Sequence, residues 1–140
     1  MDELREKFFD FLLKKTYTEK QAQTFLNKLK IPDDKKEFLM REAQDMGLID
    51  DEAYATLFAE GHESWGNAKI SYELSQRGIQ KENINIALEN IPQEYERVKE
   101  IYDSLKNIYD NKKIQSRLLN RGFSLRAINK ILKNKNDIDF

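Results

Sequence analysis

The chain has 140 residues, enough for one ordinary domain or a short array of repeats. It holds no Cys and a single His, which excludes a disulfide framework, a thiolate nucleophile, and any thiolate or multi-histidine metal site. Charged residues make up 35% and hydrophobic ones 39%, too apolar for a disordered chain and suited to helices with one buried stripe each.

The pattern reads as helix throughout, because 5 Gly and 2 Pro leave few breakers. No segment alternates with a period of two between hairpin signals. Residues 4–14 place Leu4, Phe8, Phe11 and Leu12 on one side of a first helix. Thr18 opens a second, with Ala22 and Leu26 four residues apart on its buried face. Asp33 is a natural cap for a third, and Gly47 ends it. A fourth helix over 50–60 carries Tyr54, Leu57 and Phe58, with Asp50 or Asp51 at its start. Gly66 opens a fifth, which closes on Arg77-Gly78-Ile79, and Gln80 is a weak cap for a sixth. Pro92 falls in the first turn of a seventh, over 93–109, with Tyr95, Val98, Ile101, Tyr102, Leu105 and Ile108 facing inward. Asp110 opens an eighth, which closes on Arg121-Gly122-Phe123, and Ser124 caps a ninth.

Two of these segments share a phrase. Glu73-Leu74-Ser75-Gln76-Arg77-Gly78-Ile79 is matched 44 residues later by Arg117-Leu118-Leu119-Asn120-Arg121-Gly122-Phe123, and a fainter copy ends at Ile31. Aligned on Ile31, Ile79 and Phe123, the copies hold Ala22, Ile70 and Ile114 nine residues before, and Leu26, Leu74 and Leu118 five before. After the anchor, Leu39, Ala87 and Ile131 coincide, as do Met40, Leu88 and Leu132, while Ile84 and Ile128 are matched by Lys36. Lys30 stands where Gly78 and Gly122 stand, which is costly if that turn is left-handed. Self-similarity at this period marks tandem helical units. The fold class that follows is all-α: three tandem three-helix repeats, about nine helices, stacked into a curved, elongated array. The divisions are 1–46 for a divergent repeat 1, 47–91 for repeat 2, 92–134 for a basic repeat 3, and 135–140 for a frayed tail. A triplet alone buries its apolar face poorly, so the repeats are expected to stack.

The middle repeat has a family likeness. Gly47-Leu48-Ile49-Asp50-Asp51-Glu52-Ala53-Tyr54-Ala55 resembles the G-x-L-D-D-x-x-F/Y-A signature of the RecX regulatory family. Gly66, Ile70, Glu73-Leu74, Arg77-Gly78-Ile79, Ile84 and Ala87-Leu88 continue the family pattern at its usual spacing. Leu118-Leu119-Asn120-Arg121-Gly122-Phe123-Ser124 resembles its closing L-x-R-G-F-S repeat. The resemblance implies a three-repeat helical modulator, chiefly an inhibitor, of the RecA recombinase. It would lie in the groove of the RecA–DNA filament and hinder strand exchange and ATP hydrolysis. Relatives commonly carry basic residues just before the turn of repeat two. Here that stretch is Glu60-Gly61-His62-Glu63-Ser64, which weakens the expectation of direct DNA contact more than that of recombinase contact.

Charge is unevenly spread. Residues 1–60 hold 10 basic and 14 acidic side chains, residues 61–110 hold 6 and 9, and residues 111–140 hold 8 and 2. The basic end suits a polyanion or an acidic protein surface. Lys69 and Lys113 stand ten residues before their anchors and Arg77 and Arg121 two before, so the repeat places them in equivalent positions along one side. With Lys112, Arg117 and Arg126 they are the candidate contact surface for a filament. Trp65 is a further candidate, as a staple for its helix or as an exposed anchor. Asp50 and Asp51 read as an N-cap with a neighbour favourable to the helix dipole, Glu73 as an i,i+4 partner of Arg77, and His62 as a loop residue. The expected function is a non-enzymatic regulator, monomeric and cytoplasmic, without cofactor or metal, whose partner is the RecA filament on DNA. The alternative is a helical module that binds nucleic acid through residues 111–135, or another protein, without RecA activity.

Overall fold

The computed structural model describes the backbone from Asp2 to Ile138 and the side chains as far as Lys133. Among these residues there are nine helices and no strand: α1 Asp2–Leu12, α2 Glu19–Lys28, α3 Asp33–Asp45, α4 Asp51–Glu60, α5 Asn67–Gln76, α6 Lys81–Glu89, α7 Glu94–Leu105, α8 Asn111–Asn120 and α9 Leu125–Ile138. The tail expected to fray over 135–140 is helical to Ile138, and beyond that it lies outside the described residues.

The helices start where short polar side chains satisfy free N–H groups. Thr18 and Gln21 form a reciprocal capping box at α2. Asp50 accepts from the Ala53 N–H, Asp110 from Lys113 and Ser124 from Ala127. Gln80 caps α6 with its backbone alone. Asp33 is the first residue of α3, and the capping place belongs to Pro32, which makes no side-chain bond. Pro92 lies before the cap residue Gln93 and not within the first turn.

Helix ends explain the repeated phrase. Gly78 and Gly122 have φ of 85° and 89°, where only glycine sits without strain. Around them the N–H groups of Ile79 and Phe123 reach the Leu74 and Leu118 carbonyls, and those of Gly78 and Gly122 reach Ser75 and Leu119. This is the Schellman arrangement, in which the residue after the glycine packs back onto the helix. The anchors Ile79 and Phe123 are those residues, both buried. Repeat 1 does not follow: α2 stops at Lys28, Leu29 is extended, and Lys30 avoids the left-handed region and its cost.

Each triplet encloses its own core. Phe8, Leu12, Ala22, Leu26, Leu39, Met40, Ala43 and Ile49 form the first. Ala55, Ala59, Ile70, Leu74, Ile79, Ile84, Ala87 and Ile91 form the second. Val98, Tyr102, Ile114, Leu118, Phe123, Ala127, Ile128, Ile131 and Leu132 form the third. The principal helix–helix packing is also within triplets, α4 on α6 and α7 on α9 most of all. The expectation that a triplet needs its neighbours to bury its apolar face is therefore corrected. Aromatic residues make this self-sufficiency affordable in repeat 1, where Phe11 stacks on both Tyr17 and Phe25. Two expected inward residues point out: Leu57 is 64% and Ile108 65% exposed. On α4 the buried edge is instead small, Ala55 and Ala59, which lets α6 approach closely.

Candidate binding surface

Each repeat carries an aromatic ring with a cation over its face, one position before the N-cap of the second helix of the triplet. In repeat 3 the ring is Tyr109. The Lys113 ammonium lies 4.7 Å and the Arg117 guanidinium 4.3 Å from its centroid, and Arg117 also donates to the Tyr109 hydroxyl at 3.0 Å. In repeat 2 it is Trp65, with the Lys69 ammonium 4.1 Å away. In repeat 1 it is Tyr17, with Lys15 at 5.1 Å, since Gln21 holds the place of Lys69 and Lys113 and is committed to the capping box. Such pairs hold a long, mobile side chain in one place without neutralising its charge.

Trp65 is half-buried against the second core, with Phe58 and His62 beside it. Its packing resembles a staple more than a free anchor. Phe58 carries the Arg77 guanidinium 4.8 Å from its ring, and Arg77 is further tied to the Glu73 carboxylate at 2.9 Å, the i,i+4 pair expected from sequence. Lys69, Trp65 and Arg77 thus form one cluster with Phe58, and Lys113 and Arg117 a second on Tyr109. The clusters are joined through Lys69, whose backbone and Cβ pack directly on Gly122, the neighbour of Arg121. Lys112 is exposed on α8 and Arg126 on α9, and neither is drawn into a cluster. Among the described residues, Arg77 is the one member of the candidate set with a carboxylate partner. His62 is a loop residue whose Nδ1 sits 2.7 Å from the Phe58 carbonyl oxygen.

The joints between repeats use residues that sequence reasoning did not single out for this role. At the second joint the Gly66 N–H donates to the Arg121 carbonyl at 2.8 Å. Arg97, 3% exposed, reaches from α7 into the loop before α5 and donates to the carbonyls of Glu63 and Trp65 and to Asn67 Oδ1. It also donates to the Pro92 carbonyl, and the Phe123 ring lies beneath it. Burial pushes the Arg97 pKa down from its ordinary value, with the charges of Glu94 and Glu63 opposing, yet a guanidinium stays charged. Glu94 accepts from the Asn67 N–H with one oxygen and from the Ser124 N–H with the other, so one carboxylate serves two helix N-termini. At the first joint Thr18 Oγ1 donates to the Arg77 carbonyl at 2.7 Å, and Asp51 Oδ1 accepts from the Glu19 N–H at 2.9 Å. Asp51 and Glu94 therefore do the same work, each as the first residue of its helix. The signal was present but offset: they stand 43 residues apart, while the anchors stand 44 apart.

Among the described residues no group of three or more His, Cys, Asp or Glu is placed to hold a metal ion. No helix among the described residues is long and apolar enough to cross a membrane.

Comparison with known proteins agrees with the architecture. Residues 50–88 match the family model for the second three-helix domain of RecX. No curated protein matches the chain. A crystal structure of RecX from Lactobacillus salivarius superimposes with a TM-score of 0.82 at 23% identity, covering 95% of this chain and 94% of that one. A crystal structure of regulatory protein RecX gives a TM-score of 0.76 at 25% identity, over 94% of this chain and 72% of that one. The matched domain is α4 to α6, the triplet that holds the D-D-x-x-Y-A signature, and it sits within a fold that is similar to these RecX structures over nearly the whole chain: residues 50–88 form a RecX second three-helix domain.

Proposed function

We propose that this RecX-type regulator binds the RecA filament on DNA and acts on it without chemistry of its own, chiefly by inhibiting ATP hydrolysis and strand exchange. The observation that carries the reading is the run of basic groups without carboxylate partners, from Lys69 across the second joint to Arg121, Arg117 and Lys113. Cations held over rings but not neutralised are suited to charge-assisted bonds with phosphates or carboxylates of a filament. Lys112 and Arg126 extend the surface. Arg77 contributes less than its sequence position implies, because its guanidinium is spent on Glu73 and Phe58. Trp65 supports Lys69 from below. The protein acts as a monomer in the cytoplasm and needs no cofactor.

Co-sedimentation with RecA assembled on single-stranded DNA tests this. The native protein should pellet with the filament, and a variant with Arg117, Arg121 and Arg126 changed to Glu should remain largely in the supernatant. Equal pelleting of both would remove these residues from the interface, and no pelleting of either would remove the function.

A second reading has its own support. The same arginines lie in the basic last 30 residues, which could grip DNA directly without RecA. Binding to naked single-stranded DNA that falls steeply with salt, at a slope of roughly −0.7 per phosphate neutralised, would favour it.

A further inference from the structure

The two joints of the array are unequal, and the geometry points to a conformational device: repeats 2 and 3 are latched into one rigid body by Arg97, and repeat 1 swings on the joint at Thr18 and Asp51. Apart from Ile49, which enters the first core just before the α4 cap, the cores do not cross the joints, so the polar contacts there set the relative orientation of the repeats. At the second joint Arg97 places three of its nitrogens on the far side, on two backbone carbonyls and the Asn67 side chain. A planar fork held at several points fixes orientation, where a single bond allows rotation. Glu94 adds the Asn67 N–H, and the Gly66 N–H adds a backbone bond to Arg121. Gly66 and Gly122 pack so tightly that a Cβ on Gly66 would lie 2.1 Å from the Gly122 carbonyl carbon.

Apart from the backbone bonds that close α3, the first joint has, among the described residues, two hydrogen bonds, from Thr18 and to Asp51. Its other close contact is Gly78 against the Lys20 side chain from Cβ outward, where Gly122 meets the Lys69 backbone as well as its Cβ. Tyr54 stands where Arg97 stands, three residues into the helix from the joining carboxylate, and it bonds to nothing in repeat 1. Asp51 is one methylene shorter than Glu94 and holds one helix N-terminus where Glu94 holds two. The sides of this joint face each other across an open cleft, with Glu19, Lys20 and Gln23 opposite Asp51, Gln80 and Asn83. A local difference in the number of fixed polar contacts becomes a difference in opening free energy, so motion concentrates at the weaker joint.

The absence of cysteine in the chain permits a direct test. Spin labels on Lys28→Cys with Glu82→Cys report the first joint, and on Glu82→Cys with Lys99→Cys the second, all at exposed helical positions. In the intact protein the first pair should give the broader distance distribution. Arg97→Met should broaden the second to match, while Asp51→Glu, which lengthens the carboxylate toward Gln80, should narrow the first. Equal widths in the unmodified background would overturn the proposal without recourse to any latch variant. So would an unchanged second distribution in an Arg97→Met protein whose circular dichroism shows it folded.

Discussion

Gly66→Ala adds one methyl group at the point where repeats 2 and 3 meet, and the distances there set its cost. Gly66 has φ −76° and ψ 167°, a conformation alanine adopts freely, so no backbone strain enters. As a helix cap it offers no side-chain bond, and its replacement by alanine there costs a few tenths of a kcal/mol to about 1. The new Cβ would lie 2.1 Å from the Gly122 carbonyl carbon and oxygen and 2.2 Å from the Phe123 nitrogen, all backbone atoms that cannot rotate away. Ordinary contact between such atoms is about 3.5 Å, so the repeats must part by more than about 1 Å. That separation stretches the 2.8 Å bond from the Gly66 N–H to Arg121 beyond hydrogen-bonding range. A lost bond of this kind is worth about 1 kcal/mol, and overpacking adds about 1–3 kcal/mol. The expected destabilisation is therefore about 2–5 kcal/mol. Gly47→Ala is the control: φ is 75° with nothing within 4 Å of the added Cβ, so backbone strain alone costs about 1–2 kcal/mol. Urea unfolding followed by the fluorescence of Trp65, the single tryptophan and a neighbour of the joint, measures both. A Gly66→Ala midpoint no lower than that of Gly47→Ala would refute the close-approach argument.

Three further outcomes follow from the same geometry. Arg97→Lys keeps the charge but loses the fork, leaving buried carbonyls unserved at about 1–3 kcal/mol each, and calorimetry should show a clearly lowered Tm. Thr18→Val, isosteric and fully buried, loses both the cap of α2 and the bond to Arg77, about 1–2 kcal/mol by urea denaturation. Arg117→Ala with Arg121→Ala should lower stability by no more than about 1 kcal/mol, chiefly the Arg117 contact with Tyr109, because both side chains lie outside the cores, and filament binding should weaken all the same.

Much of the fold was legible because the repeat forces the same solution twice. Leu74 and Leu118, Ile70 and Ile114 are fully buried in equivalent places, and Gly78 and Gly122 make the same turn. What escaped were features set by the neighbour and not by the repeat itself. Arg97 looks like one more solvated helix charge until the loop of repeat 2 is brought over it. Asp51 shares its sequence neighbourhood with a cap, Asp50, and its bond to the Glu19 N–H crosses 32 residues. Leu57 and Ile108 fit the helical period but lie at the edges of faces that alanines and neighbouring aromatics already fill. Of the candidate surface, the sequence names Lys69, Lys113, Arg117 and Trp65, but not the pairing of these cations with Trp65 and Tyr109. Tyr17, Trp65 and Tyr109 occupy one register position, but as three different contexts of two residue types they blend into the aromatic content of the chain.

The most direct test of the regulatory account is the single-strand-DNA-dependent ATPase rate of RecA, titrated with this protein at moderate salt, beside the variant in which Arg117, Arg121 and Arg126 are Glu. The account predicts progressive inhibition by the native protein and little by the variant. An ATPase rate unchanged at saturating excess of folded native protein would contradict it.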